Sequence, residues 1–201
     1  AVYRLSSSFV YGSFTMGKHY SMHEAAGICI RCAADYQKNL ENKNYIFIFQ
    51  NRETNKIDFF EATFLPRHFM HLTGLHYTDC YRSELQLREK ELGARNFYDE
   101  CLNKTIREET LQEKPDGTTS LKLEALPQLI NFLRMANMTV TYSGGRPYLA
   151  CDRFAGTTKS ALGFTRESNG FFGPSSCLNE DIRNLGENPS RILAIFTKDV
   201  S

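Results

Sequence analysis

Three of the five histidines, His68, His71 and His76, stand close together in the chain. An imidazole titrates near neutral pH, so it can take or give a proton while a substrate reacts. His71 is the leading candidate. It lies in Phe69-Met70-His71-Leu72-Thr73-Gly74-Leu75, where Gly74 suits the end of a short helix or turn and Thr73 is placed to orient the ring or a phosphate. His68 and His76 flank it and could serve instead, whereas His19 and His23, near or on the first helix, read as solvated. Cations gather further along: Arg146, Arg153, Lys159 and Arg166 stand against only Asp152 and Glu167 between Ser143 and Gly170. Thr158 and Ser160 add hydroxyls there, and Gly156-Thr157-Thr158 adds backbone amides in a flexible turn, which makes this the best local anion site. Lys122 follows Thr118-Thr119-Ser120 and falls in the first turns of a helix, where it can hold a phosphate beside the positive dipole end. Ser175, in Gly173-Pro174-Ser175-Ser176, can expose a hydroxyl at a sheet edge. Each has a plainer reading too: a packed histidine with Thr73 as a cap, an exposed helix lysine, a solvated basic hairpin, a Gly-Pro turn.

Whole-chain properties limit what such a site can be. The chain has 201 residues, 41% hydrophobic, 23% charged and 12% aromatic, which supports a packed core rather than a disordered tail. A formal net charge of +1 excludes a protein that coats nucleic acid non-specifically, so any phosphate site must be local. No apolar run approaches the ~20 residues of a membrane-spanning helix, and no membrane partner is expected. Residues 1–15 lack the basic-then-apolar order of a secretory signal and read as an upstream extension, with Met16 the more natural start and 16–201 a single domain. The six cysteines are scattered, which fits a reducing cytoplasm better than a disulfide framework. Cys29-x-x-Cys32 lies mid-helix with no second pair to complete four ligands, and reads as structural thiols. There is no Gly-x-x-x-x-Gly-Lys-[Ser/Thr] loop and no His-Glu-x-x-His, so no metal and no cofactor is expected.

The elements that must position these residues follow from periodicity. Ser21 to Leu40 predicts a helix, with Ser21 and Glu24 as a capping box and Ala25, Ile28, Cys29, Cys32, Ala33 and Tyr36 on one stripe. Tyr45–Phe49 and Lys56–Phe64 flank a polar stretch and predict an antiparallel hairpin. Ser83 to Ile106 predicts a helix burying Leu85, Leu92, Phe97, Cys101 and Leu102. After the Lys114-Pro115-Asp116-Gly117 turn, Thr119 or Ser120 can cap a helix that runs to about Met135 and is kinked near Leu126 by Pro127. From Thr139 onward, strands are expected at Thr139–Tyr142, Tyr148–Asp152, Ser160–Thr165, Gly170–Phe172 and Ile192–Phe196. Helices followed by a run of strands indicate an α+β fold, with N-terminal helices packed on an antiparallel β-sheet.

One family matches an ordered set of segments along most of the chain after Met16. The segments are Phe69–Leu75, Ala94–Leu102, Asp116–Leu123, Asp152–Gly163, Phe172–Ser176 and Ile195–Lys198. In order and spacing the chain resembles the fourth group of phage barnase–EndoU–colicin E5/D–RelE-like predicted nucleases. The resemblance implies helices on a four-stranded antiparallel sheet and a metal-independent RNase of phage or prophage origin, toxin-like, in the bacterial cytoplasm. RNA would be its substrate, and an immunity protein, antitoxin, or other phage or host protein its partner.

Cutting RNA through its own 2′-OH requires a base, an acid, and cations or amides to stabilise the phosphorane charge. His71 would be base or acid, Thr73 its orienting neighbour, and Arg153, Lys159, Arg166 and Lys198 the stabilisers. Lys198 matches a lysine of the family pattern, and Lys122, Thr158, Ser160 and Ser175 complete the phosphate-binding set. Two alternatives remain open. The first is a catalytically inactive interaction protein on the same fold, which the near-zero net charge favours. The second is an ADP-ribosyltransferase-like enzyme with Glu167 or Glu180 as its acid. His71-Leu72-Thr73 is also similar to the His-x-Thr of two-histidine phosphoesterases, which use two copies where this chain has one.

Overall fold

Ser21 sets the start of the first helix, α1 (Met22–Asn39), in the computed structural model, which describes residues 18–78, 87–145 and 149–200, with the backbone alone for 87–89 and 91. Ser21 Oγ accepts the Glu24 amide at 3.2 Å while the Glu24 carboxylate accepts the Ser21 amide at 2.9 Å, so two amides that a helix end leaves open are both satisfied. The expected stripe is buried, and its Cys29 and Cys32 are free thiols, Cys29 lying beside Cys101 of α3 (Leu87–Asn103). The expected extension at 1–15, Arg146, Tyr148 and Leu85 lie outside the described residues.

Strands β1 (Lys43–Gln50) and β2 (Ile57–Phe64) form the expected hairpin, registered from Lys43↔Phe64 to Gln50↔Ile57. Alternation turns Phe47, Phe49, Phe60, Ala62 and Phe64 into the core. Phe47 stacks flat on Phe60 at 4.5 Å, and both meet Phe164 edge-on at 5.7 Å. Helix α2 (His68–Thr73) ends at Gly74 in the left-handed conformation, φ 69°. Leu92 departs from expectation: it is exposed, whereas Phe97, Tyr98 and Cys101 of the same helix are buried. At 100° per residue Leu92 lies about 140° around the helix from Phe97, off the buried stripe.

Strands β3 (Leu75–Tyr77) and β4 (Leu111–Glu113) pair with each other as a small separate sheet. Beyond them, Pro127 splits the next helix as its missing N–H requires, into α4 (Thr119–Ala125), a short 3-10 turn, and α5 (Leu129–Met135). Its N-cap is Thr118 rather than Thr119 or Ser120; Asp116 Oδ1 accepts both the Thr118 amide and hydroxyl.

The sheet corrects the expected architecture. β5 (Met138–Thr141), β6 (Arg153–Gly156), β7 (Ala161–Arg166), β8 (Phe172–Leu178) and β9 (Ser190–Asp199) join the N-terminal hairpin in one seven-stranded sheet closed on itself, in the order β1-β2-β8-β7-β6-β5-β9. It is therefore a mixed barrel, neither four-stranded nor wholly antiparallel, because β2 meets β8 in parallel at Ala62↔Phe172. Parallel neighbours need a long crossover, and α2 to α5 lie within that connection. The strand expected at 148–152 is displaced to Arg153–Gly156, and Leu149–Cys151 leaves the ladder. Helices α2 and α4 pack on β8, and α5 packs on β6 and β7. No helix of the described residues is long and apolar enough to cross a membrane.

Candidate active site

The site forms where α2 and α4 meet β8. A Cβ on Gly74 would lie 3.0 Å from Lys122 Cδ and from Thr119 Cα, so α4 rests directly on the turn that ends α2. Thr119 Oγ1 donates to the Gly74 carbonyl and accepts the Lys114 amide, fixing that contact. Lys122 then lies buried, and its ammonium donates to the backbone carbonyls of His71 at 3.1 Å and Ser175 at 3.0 Å. Among the described residues no carboxylate pairs with it. Burial, followed by the charge of Lys114, pushes its pKa down to about 8.

Opposite Lys122, β8 carries a bulge. Gly163 pairs with Ser176 and Phe164 with Pro174, so Ser175 is an extra residue with no partner on β7. Such a bulge re-aims side chains that strict alternation would turn away. Ser175 Oγ lies 3.2 Å from Cys151 Sγ and accepts the Thr165 hydroxyl at 3.1 Å. Ser176 is 1% exposed, yet its Oγ has no hydrogen-bond partner among the described residues.

His71, Lys114, Lys122, Cys151, Ser175 and Ser176 line one recess of about 110 Å³, with Asp116 at its side. His71 is exposed to solvent as a residue, although many protein atoms surround its ring. Burial first, then the charges of Lys114, Lys122 and Arg67, push its pKa down to about 4, and its exposure to water works against that drop. The imidazole is neutral at pH 7 and able to accept a proton. Burial also lowers the pKa of Lys114, against the pull of Asp116, and raises that of Cys151, which therefore carries a thiol. Larger hollows of about 460 and 410 Å³ lie elsewhere, but neither has a histidine or cysteine in its lining.

The structure brings His71, Lys122 and Ser175 together and disperses the other sequence candidates. Thr73 is fully buried, its hydroxyl donating to the Met70 carbonyl and accepting the Leu75 amide, so it finishes α2 and does not line the recess. Arg153 lies over the rings of Phe49 and Phe60 at 5.1 and 5.2 Å, and Arg166 over Phe172 at 5.0 Å. In the β6–β7 turn, Thr157 Oγ1 takes the amides of Lys159 and Ser160, and the Thr157 amide donates to the Ser160 carbonyl. Those amides serve the turn itself, and Thr158 stands beside them, outside the recess. Lys198 of β9 is paired with Glu61 of β2 at 3.6 Å, away from the recess.

Among the remaining candidates, His68 is buried, and with Arg67 it binds Glu167, at 2.8 Å from Nε2 and at 3.0 and 2.9 Å from the guanidinium. His68 Nδ1 accepts the Leu65 amide, so Nε2 carries the proton donated to Glu167. His76 sits on β3 opposite Gln112, and the His19 and His23 side chains are exposed. Lys114, Cys151 and Ser176 were not singled out from the sequence. Ser176 stood beside a chosen residue; for the other two no local pattern marks the recess.

Among the described residues no three His, Cys, Asp or Glu side chains gather where a metal ion could be held. The family model described as phage-Barnase-EndoU-ColicinE5/D-RelE like nuclease 4 matches residues 29–201. Neither the search of curated proteins nor that of solved structures returned a significant match.

Proposed function

The chain belongs to the phage-Barnase–EndoU–ColicinE5/D–RelE-like nuclease 4 family, and on that footing we propose that its recess cleaves RNA by attack of the 2′-OH on the adjoining phosphodiester. The carrying observation is the pairing of a neutral imidazole, His71, with a buried ammonium, Lys122, in one recess. His71 takes the 2′-OH proton as the 2′-O–P bond forms. Lys122 offsets the charge on the phosphorane and gives a proton to the 5′-oxygen as the P–O5′ bond breaks, leaving a 2′,3′-cyclic phosphate and a 5′-hydroxyl. Both pKa values are lowered, yet they still lie on opposite sides of neutrality, one group able to accept a proton and the other to give one.

The test is a labelled-RNA assay in EDTA. Wild type is expected to cut, and a single 2′-deoxy substitution at the cleaved position to block cutting there. His71→Ala should lower the rate by about 10²–10⁴-fold, the range for losing a positioned acid or base. Absence of cleavage by well-folded wild type on varied RNAs sinks the proposal, and cleavage of the 2′-deoxy strand sinks its mechanism.

A further inference from the structure

We propose that the recess binds a tetrahedral phosphate dianion without the rest of a nucleotide, with Ser176 Oγ and Lys122 Nζ as its donors, so that inorganic phosphate and phosphate-ended strands compete with substrate. Ser176 carries the argument. A hydroxyl that is 1% exposed and has no partner among the described residues is a costly arrangement, because it has given up water and gained nothing in return. It is accounted for if the partner is a ligand. Lys122 points the same way: its buried ammonium meets two neutral carbonyls and no carboxylate among the described residues. An anion would supply the missing countercharge.

The local charges agree. Lys114 and Lys122 outweigh Asp116, and His71 is neutral, so the lining carries net positive charge. Size decides the class of ligand. Pockets that enclose a whole drug-sized molecule run to about 300–1,000 Å³; this recess, at about 110 Å³, holds a group of a few heavy atoms and leaves sugar and base outside. The bulge at Ser175 lets two successive β8 residues border the same hollow.

Phosphate capture rests on the nuclease reading only where it speaks of substrate. Its first test uses full-length protein, sodium phosphate and sodium chloride at matched ionic strength, and the thermal midpoint as readout, with ³¹P line broadening as a second measure. Wild type should gain stability saturably with phosphate and not with chloride. Ser176→Ala, which removes an unmet hydroxyl, should melt at the same temperature or higher without phosphate, yet lose the phosphate response. Lys122→Met should also lose it. An equal response to chloride, or a full response in Ser176→Ala, overturns the proposal, as does a drop in the phosphate-free midpoint of Ser176→Ala. In the RNA assay, phosphate should raise KM and leave kcat unchanged. Cleavage indifferent to phosphate overturns phosphate capture alone, whereas phosphate binding by a protein that cuts no RNA supports it and defeats the nuclease reading.

Discussion

His71 and Lys122 set opposite limits on the pH range in which the recess can work. His71 must be neutral to accept a proton, so activity should rise with pH along an acid limb that lies below the ordinary imidazole value of 6.5. Lys122 must be an ammonium to donate one, so activity should fall as pH passes about 8. A kcat/KM profile from pH 3.5 to 9.5 in phosphate-free buffer checks both limbs, and a rate still climbing above pH 9 would remove Lys122 from the chemistry. Lys122 also leaves a mark on stability. Its folded pKa, about 8, lies below the ordinary 10.5, so between those values the unfolded chain binds more protons and stability increases with pH. The penalty for the buried ammonium is about 3 kcal/mol, present in full below pH 8 and relieved towards pH 10.5. Denaturant titrations at pH 7 and 9.5 should show wild type gaining relative to Lys122→Met. At this scale the sequence was informative about type: a histidine in a Gly-ended turn and a lysine after a hydroxyl cluster were both selected from local context. Ser176 was not, because what distinguishes it is the absence of a partner in three dimensions.

Gly74 shows how an element fixes the site. Its left-handed backbone closes α2, and the stem of Lys122 together with the start of α4 occupies the space a side chain would fill. Gly74→Ala should cost about 1–3 kcal/mol through backbone strain alone, measurable by denaturant unfolding. It should also lower cleavage more than that loss of stability explains, since it displaces Lys122. Activity intact in a destabilised Gly74→Ala would mean that Lys122 does not depend on this contact. Three helix boundaries were legible because their signals are local: Ser21 with Glu24, Gly74 and Pro127 each act within a few residues, whereas the α4 cap fell one residue earlier than expected, at Thr118. The strand boundary at Arg153 was not. Whether Leu149–Cys151 joins a ladder or borders a recess depends on β8, more than twenty residues away.

The barrel depends on aromatic side chains brought from distant segments. Phe47 of β1, Phe60 of β2 and Phe164 of β7 pack together with no exposed large surface. Phe47→Ala should cost about 3–5 kcal/mol, the usual range for such a truncation in a core. Calorimetry or chemical unfolding checks it, and a loss below 1 kcal/mol would contradict the packing described. Because β8 is shared between the barrel and the recess, this variant should also weaken phosphate stabilisation near its melting range.

By itself the sequence determined the α1 cap and stripe, the β1–β2 hairpin, the break at Pro127, the α+β character and the family, since each is written in short-range patterns or in an ordered set of them. Tertiary structure decided the rest. The parallel meeting of β2 with β8 and the closure of seven strands depend on long crossovers whose course no local period encodes. The same closure sends Arg153 and Arg166 onto aromatic rings and gathers His71, Lys114, Lys122, Cys151, Ser175 and Ser176 from four separate stretches of chain. Charge density along the sequence pointed to the basic segment around Arg153. Burial and backbone carbonyls, which exist only once the chain has folded, hold the ammonium of Lys122, another residue selected from the sequence, against the His71 backbone.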